Sequence, residues 1–346
     1  MPTINFSIQT STLEHILLLG FLGFAISMLI TPIYTYIAYK YKWWKKPRTT
    51  AVTGEKAVEF KKLHAAKHMR KIPTMAGLII VIGVAVVTLS FNLIREQTWL
   101  PLAAMVGAGA VGLLDDYINI RGDGSGVAGL RSKVKLMLVI GIAVVCGLWF
   151  YIKNDVSSFQ VPYLGSLAVG GFIVVIFVVV VVATANSVNM SDGLDGLAGG
   201  LLATAFGAYT VIALLQQRYG VAAFCLTIVG SLLAYVWFNI YPARFFMGDV
   251  GSFALGTALG VVAMITDTLV LLPIIGFVFV LEAGSVLLQV ISKKLRHGKK
   301  IFRISPIHHH FEAIGWPEAK VTMRFWVVGQ VSAVVGLLLA VVWGFV

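Results

Sequence analysis

Apolar residues arrive in runs of about 20, and the polar residues collect between the runs. About 20 apolar residues cross a ~30 Å hydrocarbon core as a helix. The pattern predicts ten such helices, at roughly 14–38, 74–92, 99–114, 134–152, 164–185, 197–215, 220–238, 251–266, 268–291 and 322–345. The expected fold is all-α: a polytopic membrane protein of about ten spans, built as a single helical domain over residues 1–346. No internal repeat, low-complexity tract or second soluble domain stands out. Met1–Glu14 carries no Lys or Arg and the first apolar run is long, so a cleaved signal is not expected there.

Ten spans put the connecting segments on alternate sides, and charge then tells the sides apart. The chain is 58% hydrophobic and 12% charged, with 27 Lys and Arg. Segments 40–73, 115–135, 239–250 and 292–324 hold 24 of the 27, and Arg95, Lys153 and Arg218 are the other three. Basic residues accumulate on the cytoplasmic side of membrane proteins. The basic side, which includes segment 186–196, is therefore expected in the cytoplasm, with both termini outside. The net charge of +12 reads as a topology signal and an attractor of lipid phosphates, and nucleic acid is not expected as a partner. Cys146 and Cys225 lie inside apolar runs and read as small buried hydrophobes.

The acids change the picture most. Asp115, Asp116, Asp192, Asp195 and Asp249 all fall on the basic side, as do His308, His309 and His310. A carboxylate at bilayer depth costs about 2.5–3.5 kcal/mol, so these groups belong at the interface or in a wet cavity. Carboxylates that converge there attract a hard cation such as Mg²⁺, and the cation attracts phosphates.

Asp115-Asp116 closes the third span. Adjacent acids face different ways, so one can bind metal while the other faces a substrate, and crowding suits one as a general base. The plainer reading is a polar helix end. Asn186, Asn189, Asp192 and Asp195 recur at spacings of three, near one helical face, and Gly193 and Gly196 permit close backbone approach. That run suits a nucleotide or diphosphate; an Asx-rich loop is the alternative. Asp249 stands just before a span, where it can cap the helix and still ligate metal. Asn239 and Phe246 precede it, and the Phe can stack on a base. The three histidines suit phosphate binding or proton delivery better than one shared ion. Lys67, Arg70 and Lys71 come before Pro73-Thr74 at a helix start and could hold a phosphate or form a solvated basic loop. Glu282 and Gln289 share a face of the ninth span, as a functional pair or as interhelical hydrogen bonds.

Together these motifs resemble the polyprenyl-phosphate N-acetylhexosamine-1-phosphate transferase superfamily. Asp115-Asp116-Tyr117, the run from Asn189 through Asp192-Gly-Leu-Asp195-Gly-Leu, and Phe246-Met-Gly-Asp249 carry the broad likeness. Pro306-Ile-His-His-His-Phe-Glu312, Gly315-Trp316-Pro317 and Arg324-Phe325-Trp326 carry a narrower one, to the phospho-N-acetylmuramoyl-pentapeptide-transferase family. The likeness runs from Leu63 to about Arg324. It departs at Lys71-Ile72-Pro-Thr-Met-Ala76-Gly77, where the family usually reads Gly-Thr-Pro-Thr-Met-Gly-Gly. The segment from His64 to Pro73 is also longer than usual, which leaves the phosphate-binding residue open among Lys67, the first choice, Arg70 and Lys71.

The resemblance implies a reaction: UDP-N-acetylmuramoyl-pentapeptide gives its phospho-sugar to undecaprenyl phosphate and releases UMP, in the bacterial cytoplasmic membrane. Mg²⁺ is the implied cofactor, and homodimers are common in the family. On this reading Asp249 is the first metal ligand, with Asp192 or Asp116 nearby, and Asp115 is the base facing the lipid phosphate. Lys135, which matches the family's cytoplasmic lysine, binds phosphate oxygens together with His308, His309 and His310. His308 also counts among the catalytic candidates. Asn189, Asp195, Asn239 and Phe246 serve the uridine and sugar end, and Thr74, Asn186 and Gln289 complete the substrate-binding set. Single displacement is preferred to an aspartyl-phosphate on Asp249 or Asp115, because an anionic acceptor needs little activation. A donor carrying N-acetylglucosamine is the rival within the class. A cation-coupled transporter is the rival outside it, disfavoured by the lack of a repeat and by five aspartates at one interface.

Overall fold

The computed structural model describes residues 9–44, 71–122 and 129–346; His64, Lys67 and Arg70 lie outside them. The first half holds α1 (Thr10–Lys40), α2 (Gly77–Phe91), α3 (Trp99–Arg121) and α4 (Ser132–Lys153), followed by strands β1 (Ser158–Val161) and β2 (Gly165–Ala168). Then come α5 (Ile173–Ser191), α6 (Leu197–Leu215), α7 (Tyr219–Asn239), α8 (Gly248–Ile265), α9 (Leu272–Ile275), α10 (Phe277–Leu295), α11 (Ile307–Ala313) and α12 (Glu318–Val342). Among the described residues eight helices are long and apolar enough to cross a membrane. The stretch Leu269–Ile275 with α10 passes the same test as a pair bent by 82°, and α2 is a shorter apolar helix. Each expected apolar run thus has a helical counterpart.

Four expectations need correction. The fold is not wholly α: β1 and β2 form an antiparallel hairpin, with Ser158 opposite Ala168 and Val161 opposite Gly165. The span expected over 164–185 becomes a full α-helix only at Ile173 and runs on to Ser191. Gly165 and Gly170 both take left-handed backbone (φ +75° and +56°), which turns the chain before the helix starts. Next, α3 does not end at the acid pair. Nothing in Tyr117–Ile120 breaks a helix, so it continues to Arg121 and buries Asp115 and Asp116 inside it. Finally, Asp249 is no N-cap. It lies in the first turn of α8, whose cap residue is Met247, and no side chain bonds the cap.

All residues of α8 are buried, and its neighbours reach it through glycine. A Cβ on Gly77 of α2 would overlap the Gly251 backbone, and one on Gly112 of α3 would overlap the Asp249 carbonyl. Gly256 and Gly260 of α8 abut Ala185 and Thr184 of α5 in the same way. Within a bilayer, lipid tails are as apolar as side chains, so small residues that let backbones approach are what hold helices together.

The connecting segments separate into two groups. At one end of the bundle Thr74 N donates to Trp43 O (2.7 Å) and Phe246 N to Pro73 O (2.8 Å). There too Leu130 N donates to Asp115 Oδ1 (2.8 Å), and Ala243 N to Asp195 Oδ2 (3.0 Å). At the other end Asn92 Nδ2 donates to Gly220 O (2.9 Å), Gln160 N to Asp267 Oδ1 (2.9 Å), and Gln216 Nε2 to Phe345 O (2.9 Å). Among the described residues, parts of 40–73, 115–133, 186–196 and 239–250 thus gather at one end, and parts of 93–98, 153–163, 216–219 and Asp267 at the other.

Candidate active site

Gly112 and Gly248 bring α3 against the start of α8, and this contact creates the site. Gly248 has φ +75°, and a Cβ there would overlap Asp116 Oδ2 and stand 2.8 Å from Thr74 Oγ1. Asp115, Asp116 and Asp249 each offer a carboxylate oxygen within 4.8 Å of the others, and all three are buried. Asp116 Oδ2 accepts from Val250 N (3.2 Å), a first-turn amide of α8. Lys135, from the first turn of α4, reaches between the other two. Its Nζ is 3.0 Å from Asp115 Oδ2 and 2.5 Å from Asp249 Oδ2, above the ring of Phe253.

The donor set suits a hard divalent cation. Every ligand atom is a carboxylate oxygen, the donor that Mg²⁺ prefers. Among the described residues the three carboxylates outnumber the Lys135 ammonium, and a divalent ion would offset the excess negative charge. Of the three residues expected to bind metal, Asp116 and Asp249 converge. Asp192 is not in this cluster, and Asp115 stands in its place.

A second constellation lies on the 192–196 loop and α11. Asp192 follows the last residue of α5, and Gly196 (φ +78°) opens α6. His308 and His309 point their Nε2 atoms at Gly193: a Cβ there would overlap the first and stand 3.3 Å from the second. Behind them His308 Nδ1 lies 2.8 Å from Glu282 Oε2, both side chains fully buried, and His309 Nδ1 lies 2.7 Å from Glu312 Oε2. The Glu282 partnership was not anticipated; its only signal was an acid inside a span. His309 outweighs its acidic neighbours by burial: desolvation, then His308, lowers its pKa to about 4, so it is neutral at pH 7. His310 turns away, with Nδ1 accepting from Arg303 N (3.2 Å) and its ring edge-on to Phe302.

Several residues expected to meet substrate hold the scaffold. Asn239 Oδ1 accepts from Gly196 N (3.0 Å) while its Nδ2 donates to Phe245 O (2.8 Å). Asp195 ties the 192–196 loop to Ala243, as above. Gln289 Oε1 accepts from Ile301 N and Phe302 N (3.0 Å each), and its Nε2 donates to Phe302 O (2.9 Å), which fixes the 296–306 loop. Asn186 Nδ2 donates back to Val182 O (2.7 Å) of its own helix. Asn189, in contrast, reaches across to Ser252 Oγ (2.8 Å) on α8, beside Asp249. Phe246 is half-buried and Thr74 buried; the link from 73 to 76, which carries Thr74, is hydrogen-bonded to the backbone of Phe246. Lys71 stacks its ammonium over Trp44 (6.0 Å).

A family model described as glycosyl transferase family 4 matches residues 98–267, the stretch that carries all three clustered aspartates. Among curated relatives, the phospho-N-acetylmuramoyl-pentapeptide-transferase of Bacillus velezensis is 41% identical over 340 residues, covering 95% of this chain and 99% of its own. That of Bacillus subtilis is 40% identical over 337 residues, with the same coverage. That of Chloroflexus aggregans is 35% identical over 353 residues, covering 98% of this chain and 93% of its own. Likeness at that level through nearly the whole length of both chains makes this protein a member of the phospho-N-acetylmuramoyl-pentapeptide-transferase family.

Proposed function

We propose that this protein is a multi-pass enzyme of the bacterial cytoplasmic membrane that transfers phospho-N-acetylmuramoyl-pentapeptide from its UDP donor to undecaprenyl phosphate. UMP leaves, and the lipid-linked product feeds peptidoglycan synthesis. The observation that carries the reading is the convergence of Asp115, Asp116, Asp249 and Lys135 where the basic segments gather. The positive-inside rule places that end in the cytoplasm, where a soluble nucleotide donor can meet the phosphate of a lipid acceptor.

A lipid phosphate oxygen attacks the donor's sugar-bearing phosphorus as the bond from that phosphorus to the UMP oxygen breaks. Such a transfer needs mainly positioning and charge neutralisation. Asp116, Asp249 and Asp115 would hold a divalent ion, with Mg²⁺ the expected one, and the ion would screen phosphate charge. Asp115 takes any proton left on the acceptor phosphate, and Lys135 holds phosphate oxygens beside it. His308 and His309 offer Nε2 atoms to a diphosphate lying over Gly193. Asn189 and Phe246 border the space left for the nucleoside and sugar.

The test is UMP release by the purified protein in detergent with undecaprenyl phosphate and Mg²⁺. Release with the pentapeptide donor alone supports the reading. Release only with UDP-N-acetylglucosamine would overturn the donor, and release with neither would sink the enzyme.

A further inference from the structure

The outer face of α12 carries a feature that the reaction does not use. Met323, Val327, Val331, Val334 and Leu338 are each about 60% exposed, and their spacing puts them on one line along the helix. Lys320 and Arg324 continue that line at its N-terminal end. Both cations stand over one indole: Lys320 Nζ is 5.0 Å and the Arg324 guanidinium carbon 4.4 Å from the ring of Trp316. Trp316 in turn packs on Phe311 with ring centroids 4.8 Å apart. Among the described residues neither cation has an ion-pair partner.

The opposite face of α12 fixes this orientation. Glu318 Oε1 accepts from Asp195 N (2.7 Å), Thr322 Oγ1 donates to Asp195 O (3.1 Å), and Trp326 Nε1 donates to Gly196 O (3.2 Å). The helix cannot roll to hide the cations without breaking those bonds. Its charged end is therefore held where the basic segments gather, with the apolar line running into the membrane.

We infer that this face binds an anionic phospholipid of the bilayer, with its phosphate between Lys320 and Arg324 and an acyl chain along the apolar line. Charge complementarity selects the occupant. Two like charges one helical turn apart repel, and an anion between them removes the repulsion. Arg presents a planar fork that matches phosphate oxygens. From Arg324 to Leu338 the helix rises about 21 Å, more than the ~15 Å hydrocarbon depth of one leaflet.

The experiment uses the full chain in nanodiscs of phosphatidylcholine, with and without phosphatidylglycerol. Thermal unfolding and retention of phosphatidylglycerol in native mass spectrometry are read together. Many cations favour an anionic membrane, so the decisive quantity is the difference between wild type and Lys320→Gln/Arg324→Gln. The expected result is retention about tenfold weaker in the double variant, with most of the thermal gain from phosphatidylglycerol lost and both restored in Lys320→Arg/Arg324→Lys. Should the double variant fail to fold, Lys320→Gln alone gives the same comparison. Equal retention in wild type and variant overturns the inference. So does efficient cross-linking of Val331→Cys between two copies, which would assign the face to a dimer.

Discussion

Replacing Gly112 by Ala tests whether the site depends on the close approach of α3 and α8. Gly112 lies a turn before Asp115 and Asp116, on the same side of α3. A Cβ there would overlap the Asp249 carbonyl and stand 2.6 Å from Val250 N, whereas ordinary contact begins at 3.4 Å. Both obstacles are backbone, so no rotamer can relieve them, and the helices must part by roughly 1 Å. Overpacking of this kind costs about 1–3 kcal/mol, offset by the ~1 kcal/mol by which Ala favours helix over Gly. The effect on chemistry is larger, since a ~1 Å misplacement in an active site can cost ~10²-fold in rate. Gly112→Ala is therefore expected to stay folded, with a modestly lower Tm and a turnover about a hundredfold down in the UMP-release assay. Gly107→Ala is the control on the same helix. Its Cβ would meet only the Ile142 side chain, at 3.5 Å, so turnover should match wild type. A Gly112→Ala enzyme within about threefold of wild type, with Gly107→Ala behaving as stated, would refute the claim that this contact sets the spacing of the three carboxylates.

Other consequences can be checked separately. Lys135→Met removes the ammonium that lies between Asp115 and Asp249; losing one charge stabiliser costs ~10²–10³ in turnover, and Lys135→Arg should recover part of it in the same assay. Glu282→Gln keeps the volume but replaces the carboxylate that faces His308 Nδ1 (2.8 Å) by a neutral, weaker-accepting amide; supporting partners of this kind are worth ~10–100-fold in activity. The loss should appear in kcat with little change in KM, and an unchanged kcat would exclude the orienting role. Chelation should abolish turnover and added Mg²⁺ restore it; activity that survives exhaustive chelation removes the metal from the scheme. For His309, burial holds the folded pKa near 4, below the 6.5 of the exposed group. The unfolded chain then binds more protons between those values, so stability is complete above pH 6.5 and declines as pH falls toward 4. About 2 kcal/mol should be gone by pH 5. His309→Gln should flatten the dependence of Tm on pH between 7 and 5.

The spans and the grouping of their connections could be read from the chain because both rest on composition. A bilayer requires long apolar runs, and basic residues accumulate at one side, so counting sufficed. The hairpin at 158–168 was missed because its apolar residues continue into a real span, and only the glycines mark the boundary. Which polar groups form the site could be read only in part. Asp115, Asp116 and Asp249 were expected because acids are costly near a membrane. Asn239, Asp195 and Gln289 looked the same in sequence, yet their polar atoms hold loop backbone. Periodicity reports which face a side chain occupies and nothing about the backbone amide across from it. A polar residue beside an irregular loop is thus ambiguous until the loop has been traced.

The site also explains why α8 is built from small residues although it is buried throughout. Its N-terminus carries unsatisfied amides and a partial positive charge, which favours carboxylates and phosphates in that position. Asp116 uses one of those amides, that of Val250. To bring the acids of α3 to this end, the two helices must nearly touch, and only Gly112 facing the Asp249 backbone allows it. Packing at this contact and alignment of the charged groups therefore rest on the same atoms. The acids gather at the end of the most buried helix, shielded by protein and held at the edge of the bundle where a water-soluble donor can arrive. A site at the midplane would bury the same charges without that access, and one on an exposed loop would lose the amides and the spacing that α8 provides.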